Sequence, residues 1–212
     1  MSVFQKVRKN LKFIAIVMVA MCILSACSCE DDIVDGNNFN ESHFGIKSAT
    51  IVYTTENLII VGDNPNSYVT LIFDDYGKKL RLEAKDEVYI ADESSGFCYA
   101  LNTTEKTYTT DISNSMVSMR YWFLYYGDDK GFKWQTKPGY KKEKNVSIAG
   151  KNCSVCKYDD GDLYEWGGWK RITFVWSIDD GTSNPAKFTA QSITESVPAN
   201  SFVVPSDYTK EK

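Results

Sequence analysis

Along "YVTLIFDDYGKKLRLEA", residues 68–84, apolar side chains fall on every second position. Val69, Leu71 and Phe73 alternate along one run, and Leu80, Leu82 and Ala84 along the next, while Arg81 and Glu83 point the other way. A period of two marks a half-buried strand, and "DDYG" between the runs is a turn signal, so the stretch predicts a β-hairpin. Further runs of strand length follow: "EVYIA", "GFCYAL", "KTYTTDI", "NVSIAG", "NCSVCKY", "RITFVWSI" and "AKFTAQSIT". In "RITFVWSI", Ile172, Phe174, Trp176 and Ile178 take one face, and Arg171, Thr173 and Ser177 the other. Strands recurring about every ten residues with short turns predict an antiparallel meander. A sheet of that many strands has to curl to bury one face.

One segment breaks the period. "SNSMVSMRYWFLYYG" offers Ser113 or Ser115 as an N-cap and Gly127 as a stop. Met116, Met119, Phe123 and Tyr126 recur at helical spacing, which predicts a helix over 115–126. Its second half is apolar nearly all round, so it is expected to be buried on several sides or to lie across a cavity. The predicted fold is therefore mainly β: a curled antiparallel sheet, an incomplete barrel, with one helix packed on or in its concave face. On a curled sheet Met116, Met119 and Phe123 would face the strands. Trp122, Tyr125 and the neighbouring tyrosines would lie at the rim.

The chain starts differently. Lys6, Arg8, Lys9 and Lys12 make a positive head, and "LKFIAIVMVAMCIL", nearly all apolar, runs about fourteen residues. A bilayer needs roughly 20, so the run reads as a secretory signal and not a span. Leu24-Ser25-Ala26-Cys27 then resembles the lipobox of bacterial lipoproteins. That resemblance implies that residues 1–26 are a signal peptide and that Cys27 carries the lipid anchor. Ser28 stands where an Asp would resemble an inner-membrane retention signal, which favours the outer membrane. Glu30-Asp31-Asp32 resembles the acidic export tether of surface lipoproteins in the Bacteroidetes, or serves as a plain solvated linker. Residues 27–43, polar and rich in Asn, Asp and Gly, are expected to form a flexible tether, and residues 44–212 a single domain.

Removing 26 of the 212 residues takes four of the 24 basic side chains and none of the 28 acids. The chain that remains is acidic and carries no basic run, a poor match for nucleic acid. The single histidine, His43, falls at the tether and is expected to be solvated. No GxSxG, HExxH or phosphate-cradling glycine loop occurs, and the Asp pairs at 74–75, 128–129, 159–160 and 179–180 sit near glycines where turns need them. Neither a catalytic set, a metal site nor a cofactor site is expected.

Cys153 and Cys156 form a CxxC inside a strand-like run. Three residues of strand span roughly 10 Å, beyond the ~7 Å a disulfide tolerates, so the two are not expected to bond each other. Either one of them bridges Cys98, or all three stay as small buried apolar groups.

With the strands placed, a wider likeness emerges. "VSIAGKNCSVCKY", "YEWGGWKRITFVW" and "AKFTAQSITESVPANSFVVPSDY" resemble the second half of the LolA/LolB-like lipoprotein-carrier superfamily in its broad sense. "LIFDDYGKKLRLE" and "CYALNTTEKTY" resemble its early hairpins, and Phe202, Pro205 and Tyr208 its closing strand and tail. The likeness implies an incomplete barrel around a helix or an apolar cavity, which in the carriers holds lipid. Two functions follow as expectations. One is a membrane-anchored, non-catalytic module binding an apolar or amphipathic ligand between Met116, Met119, Trp122 and Phe123 on one side and Phe174 and Trp176 on the other. The other is an accessory lipoprotein that contacts another envelope protein and has no ligand pocket.

Overall fold

The computed structural model describes residues 43–61, 64–111, 119–120, 122–125, 138–181 and 184–211, all within the compact unit Glu41–Lys212. The expected signal peptide, Cys27 and most of the tether lie outside the described residues.

Thirteen strands are described: β1 Ala49–Glu56, β2 Tyr68–Asp74, β3 Lys79–Glu83, β4 Glu87–Asp92, β5 Phe97–Asn102, β6 Thr107–Asp111, β7 Lys141–Lys142, β8 Val146–Ile148, β9 Lys151–Asp159, β10 Leu163–Trp169, β11 Ile172–Asp179, β12 Ala186–Thr194 and β13 Thr209–Lys210. They join in one sheet, ordered β13-β6-β5-β4-β3-β2-β1-β12-β11-β10-β9-β7, with β8 also on β9. The sheet is open and curled, as the alternation predicts: β13 ends one edge and the short β7 and β8 the other, and the two edges do not pair. Charged Lys141 and Lys142 on the second edge discourage pairing with another chain.

Register explains why the curl is stable. Ile51 pairs with Leu71 and Leu71 with Leu82, while Ala49 pairs with Phe73 and Phe73 with Leu80. All six are buried, so one face of β1–β3 is continuously apolar. The residues between them face outward, where Arg81 pairs with Ile90. On that convex side Val88, Ile90 and Leu101 form a second, smaller core. Phe202, Val204 and Tyr208 of the C-terminal tail cover it, and Arg81 donates to the Ser201 carbonyl at 3.0 Å. Having crossed that face, the tail adds β13 alongside β6 in parallel, the one exception to the antiparallel pattern described.

The turn after β2 follows the sequence closely. Asp75 and Tyr76 both have positive φ (48° and 60°), and Gly77 follows at 91°. A Cβ on Gly77 would lie 2.7 Å from the Phe44 ring, so glycine there serves both the backbone and the packing.

The expected helix is seen only in part. Residues 119–120 and 122–123 are helical. The expected run to residue 126 does not hold, because Leu124 instead forms a bridge to Ile172 and the Tyr125 N–H donates to the Arg171 carbonyl at 2.9 Å. Met116, Tyr121, Tyr126 and the proposed caps lie outside the described residues.

Candidate functional site

The concave face is the expected seat of a ligand. Tyr53 on β1, Phe188 on β12 and Trp176 on β11 bring aromatic rings to it through the pairings Tyr53–Ala190, Thr55–Phe188 and Trp176–Phe188. Phe123 drops onto this floor, 5.1 Å from Tyr53 and 5.8 Å from Phe188 between ring centroids. Trp122 meets Trp176 edge-on at 6.0 Å, and Trp176 stacks on Phe188 at 6.0 Å. Each such pair adds about 0.5–1.5 kcal/mol beyond area burial.

Phe123, Phe174 and Phe188 are fully buried and Trp176 is 7% exposed, while Met119 and Trp122 are half-buried against the same core. Five of the six expected lining residues therefore share one core cluster, while Met116 lies outside the described residues. Tyr125, expected at the rim, is buried against Trp166, with ring centroids 6.3 Å apart.

A bulge between Gly167 and Gly168 allows this. Past it Thr173, expected opposite the apolar set, is fully buried. Its hydroxyl accepts from the Trp166 indole at 3.0 Å and its carbonyl from the Tyr53 hydroxyl at 2.9 Å. Burial, and to a lesser degree the neighbouring Cys153, raises the Tyr53 phenol well above its ordinary pKa, so it stays a donor.

One hollow among the described residues, about 150 Å³ in volume, lies beside Tyr89, Asn102 and Thr109, flanked by Glu87 and Glu211. Ligand sites for drug-sized molecules run to several hundred Å³.

Among the described residues Cys98, Cys153 and Cys156 are buried, and no disulfide joins Cys98 to either of the others. Cys98 sits on β5 and the other two on β9, with seven strands between in the sheet order. Burial pushes the Cys153 thiol up to about 11, against a smaller opposing pull from the backbone of Ile148. Only the thiolate is nucleophilic. Cys153 in the folded chain should therefore react with iodoacetamide at pH 8 on the order of 100-fold more slowly than in denaturant, as peptide mass spectrometry would read.

Two of the acid pairs, 159–160 and 179–180, serve turns, and the lone Asp92 does the same. The Asp159 and Asp179 carboxylates accept from the Gly161 and Gly181 N–H groups at 3.2 and 3.0 Å, and Asp92 accepts from the N–H of Ser94 at 2.8 Å. Asp128 and Asp129 lie outside the described residues.

One cluster has no signal in the sequence. His43, expected to be solvated, is only 6% exposed. Its Nε2 lies 3.0 Å from Glu93 Oε2, and the buried Arg120 donates to the same oxygen at 3.0 Å and to the Gly77 carbonyl at 3.2 Å. Partial burial raises the Glu93 pKa, but the hydrogen bonds and charges of Arg120 and His43 outweigh it and hold the carboxyl below its usual range. A depressed acid contributes stability above its unfolded pKa and loses it as pH falls through the folded one. Glu93→Gln should therefore lower stability at pH 7 and flatten the loss between pH 5 and the folded pKa, as urea midpoints across that range would show.

Among the described residues, fold and site together define an open antiparallel sheet with Phe123, Phe174, Phe188 and Trp176 buried in its core. No protein-family model and no curated protein matches the chain. Among solved structures it is similar to an uncharacterised conserved protein from Thermus thermophilus, with a TM-score of 0.47 at 6% identity over 79% of this chain and 91% of that one. It is also similar to MucB, with a TM-score of 0.46 at 10% identity over 76% of this chain and 58% of that one. The MucA/MucB complex of Pseudomonas aeruginosa gives 0.42 at 11% identity, over 73% and 54%. The chain thus spans little more than half the length of those two structures.

Proposed function

We propose that the protein is a lipid-anchored accessory protein of the bacterial envelope, with a LolA-like incomplete barrel, that acts by contacting another protein and not by carrying a ligand. The observation behind this reading is the burial of aromatic side chains in the core under the concave face: Phe123, Phe174 and Phe188 have no exposed area, and Trp176 is nearly covered. A carrier needs that space for a lipid chain. Leu24-Ser25-Ala26-Cys27 supports anchoring through Cys27, Ser28 supports the outer membrane, and the acidic stretch after it supports a tether. The absence of a recognisable catalytic motif in the sequence supports a non-catalytic role.

The ligand-binding reading keeps one observation in its favour. Trp122 is half-buried beside Trp176, a place where an apolar group could insert if the segment moved. Native mass spectrometry of the full chain, extracted from membranes in mild detergent, separates the two. Protein without non-covalent lipid is expected, together with a discrete adduct from a photocrosslinking residue at Phe97. That side chain is 38% exposed at the end of a convex aromatic strip with Tyr99 and Tyr108. Stoichiometric non-covalent lipid would overturn the reading. Labelling with a fatty acid, lost in Cys27→Ala, tests the anchor separately.

A further inference from the structure

We propose that Glu93 is the coupling residue of a latch, joining the segment by which the chain enters the domain to the segment that fills the concave face. The proposal stands whether or not that face accepts a ligand.

The entering segment is built in. Phe44 is buried, its ring 4.4 Å from that of Phe73. The Phe44 N–H donates to the Tyr76 carbonyl at 2.9 Å, the Gly45 N–H to the Lys170 carbonyl at 2.8 Å, and the Tyr76 N–H to the Lys47 carbonyl at 2.8 Å. A Cβ on Gly45 would lie 2.7 Å from the Lys170 oxygen, so the approach is close. His43 marks the outer end of this plug. The filling segment is the one that places Phe123 on Tyr53 and Phe188, and Arg120 lies within it.

Both segments meet at a single atom. His43 Nε2 and Arg120 Nη1 each lie 3.0 Å from Glu93 Oε2. The Glu93 N–H donates to the Lys78 carbonyl at 2.8 Å, which holds the residue against the start of β3. The two partners are covered, with side chains 7% and 4% exposed, whereas the Glu93 side chain is 43% exposed. A guanidinium cannot discharge, so Arg120 without its carboxylate would be a buried cation held by the Gly77 carbonyl alone. Its seat therefore depends on where Glu93 points. His43 helps to set that direction, and coupling between two sites is reciprocal. Withdrawing His43–Gly45 from the fold should loosen residues 119–125, and freeing those residues should loosen the plug.

Hydrogen exchange by mass spectrometry on the full chain tests this. Glu93→Gln should speed exchange roughly tenfold or more in peptides covering both 43–47 and 119–125, while β1 and β2 stay protected. His43→Ala decides the matter, including where Glu93→Gln speeds exchange everywhere. It alters a side chain of the entering segment and none in 119–125, yet it should speed exchange at 119–125 as well. Faster exchange at 43–47 with 119–125 unchanged would show that the two segments share an oxygen without being coupled.

Discussion

Gly168→Ala should destabilise the domain by about 3 kcal/mol, the upper part of the range for overpacking a filled interior. A Cβ at that position would lie 2.3 Å from Tyr125 Cγ, 2.5 Å from Tyr125 Cβ and 2.5 Å from the Ile172 carbonyl oxygen. Two of these atoms are the root of a buried side chain and the third is backbone, so none can swing away cheaply. Tyr125 would have to leave, and with it the contact to Trp166. For a domain of this size each kcal/mol moves the melting temperature by about 2–4 °C, so a fall of roughly 6–12 °C is expected. Trp166 emission should shift at the same time. Gly150→Ala is the control: φ there is +74° but nothing lies within 4 Å of the new methyl, so only backbone strain of about 1 kcal/mol is expected. Equal losses from the two substitutions would mean that Tyr125 does not rest on Gly168.

The same glycine shows why part of the fold is hard to read. Runs such as "YVTLIFD" and "KLRLE" carry their fold openly, because burial on one face and exposure on the other impose the period of two. "LYEWGGW" does not look like a strand, since paired glycines read as a turn, yet it forms β10. Here the glycines answer to neighbours far along the chain. A Cβ on Gly167 would meet Val175 and Val155 at 2.8 and 2.9 Å, and Gly168 lies under Tyr125. β1 is equally quiet, although it pairs with both β2 and β12. In "ATIVYTTE" threonines take several positions, so the apolar alternation is only a few residues deep.

The site is legible in its members more than in its meaning. Apolar residues at 119, 122, 123, 174 and 176 do converge, as their spacing on a helix and a strand suggests. What spacing cannot give is whether the converging rings leave a gap, because that depends on the bulge at Gly167–Gly168 and on Phe188, which contributes a ring from a third element. The polar cluster is invisible for a related reason. His43 and Arg120 stand 50 and 27 positions from Glu93, and none of the three belongs to a motif. Only Gly77, which leaves room for Phe44 and Arg120 together, hints in the sequence that something packs there.

Phe123→Ala separates the two functional readings and should have the largest effect on stability. The ring is fully buried between Tyr53 and Phe188, so its removal takes away about 3–5 kcal/mol, the usual cost of deleting a core phenylalanine and leaving a cavity. Urea denaturation would measure this, and Trp122 and Trp176, whose rings lie 6.0 Å apart above the same floor, would report it by fluorescence. The consequence for binding is the sharper test. If the concave face is closed in the native chain, titration with a lysolipid or a small aromatic should give no saturable change. The Phe123→Ala protein should acquire weak binding of the aromatic, because an apolar cavity of phenyl size stays dry and accepts such a guest. If Phe123 is instead the wall of a ligand site, the native chain should bind the lysolipid and the substitution should weaken it. The sign of the change thus identifies which role the segment at 119–125 plays, and a stability loss alone would not.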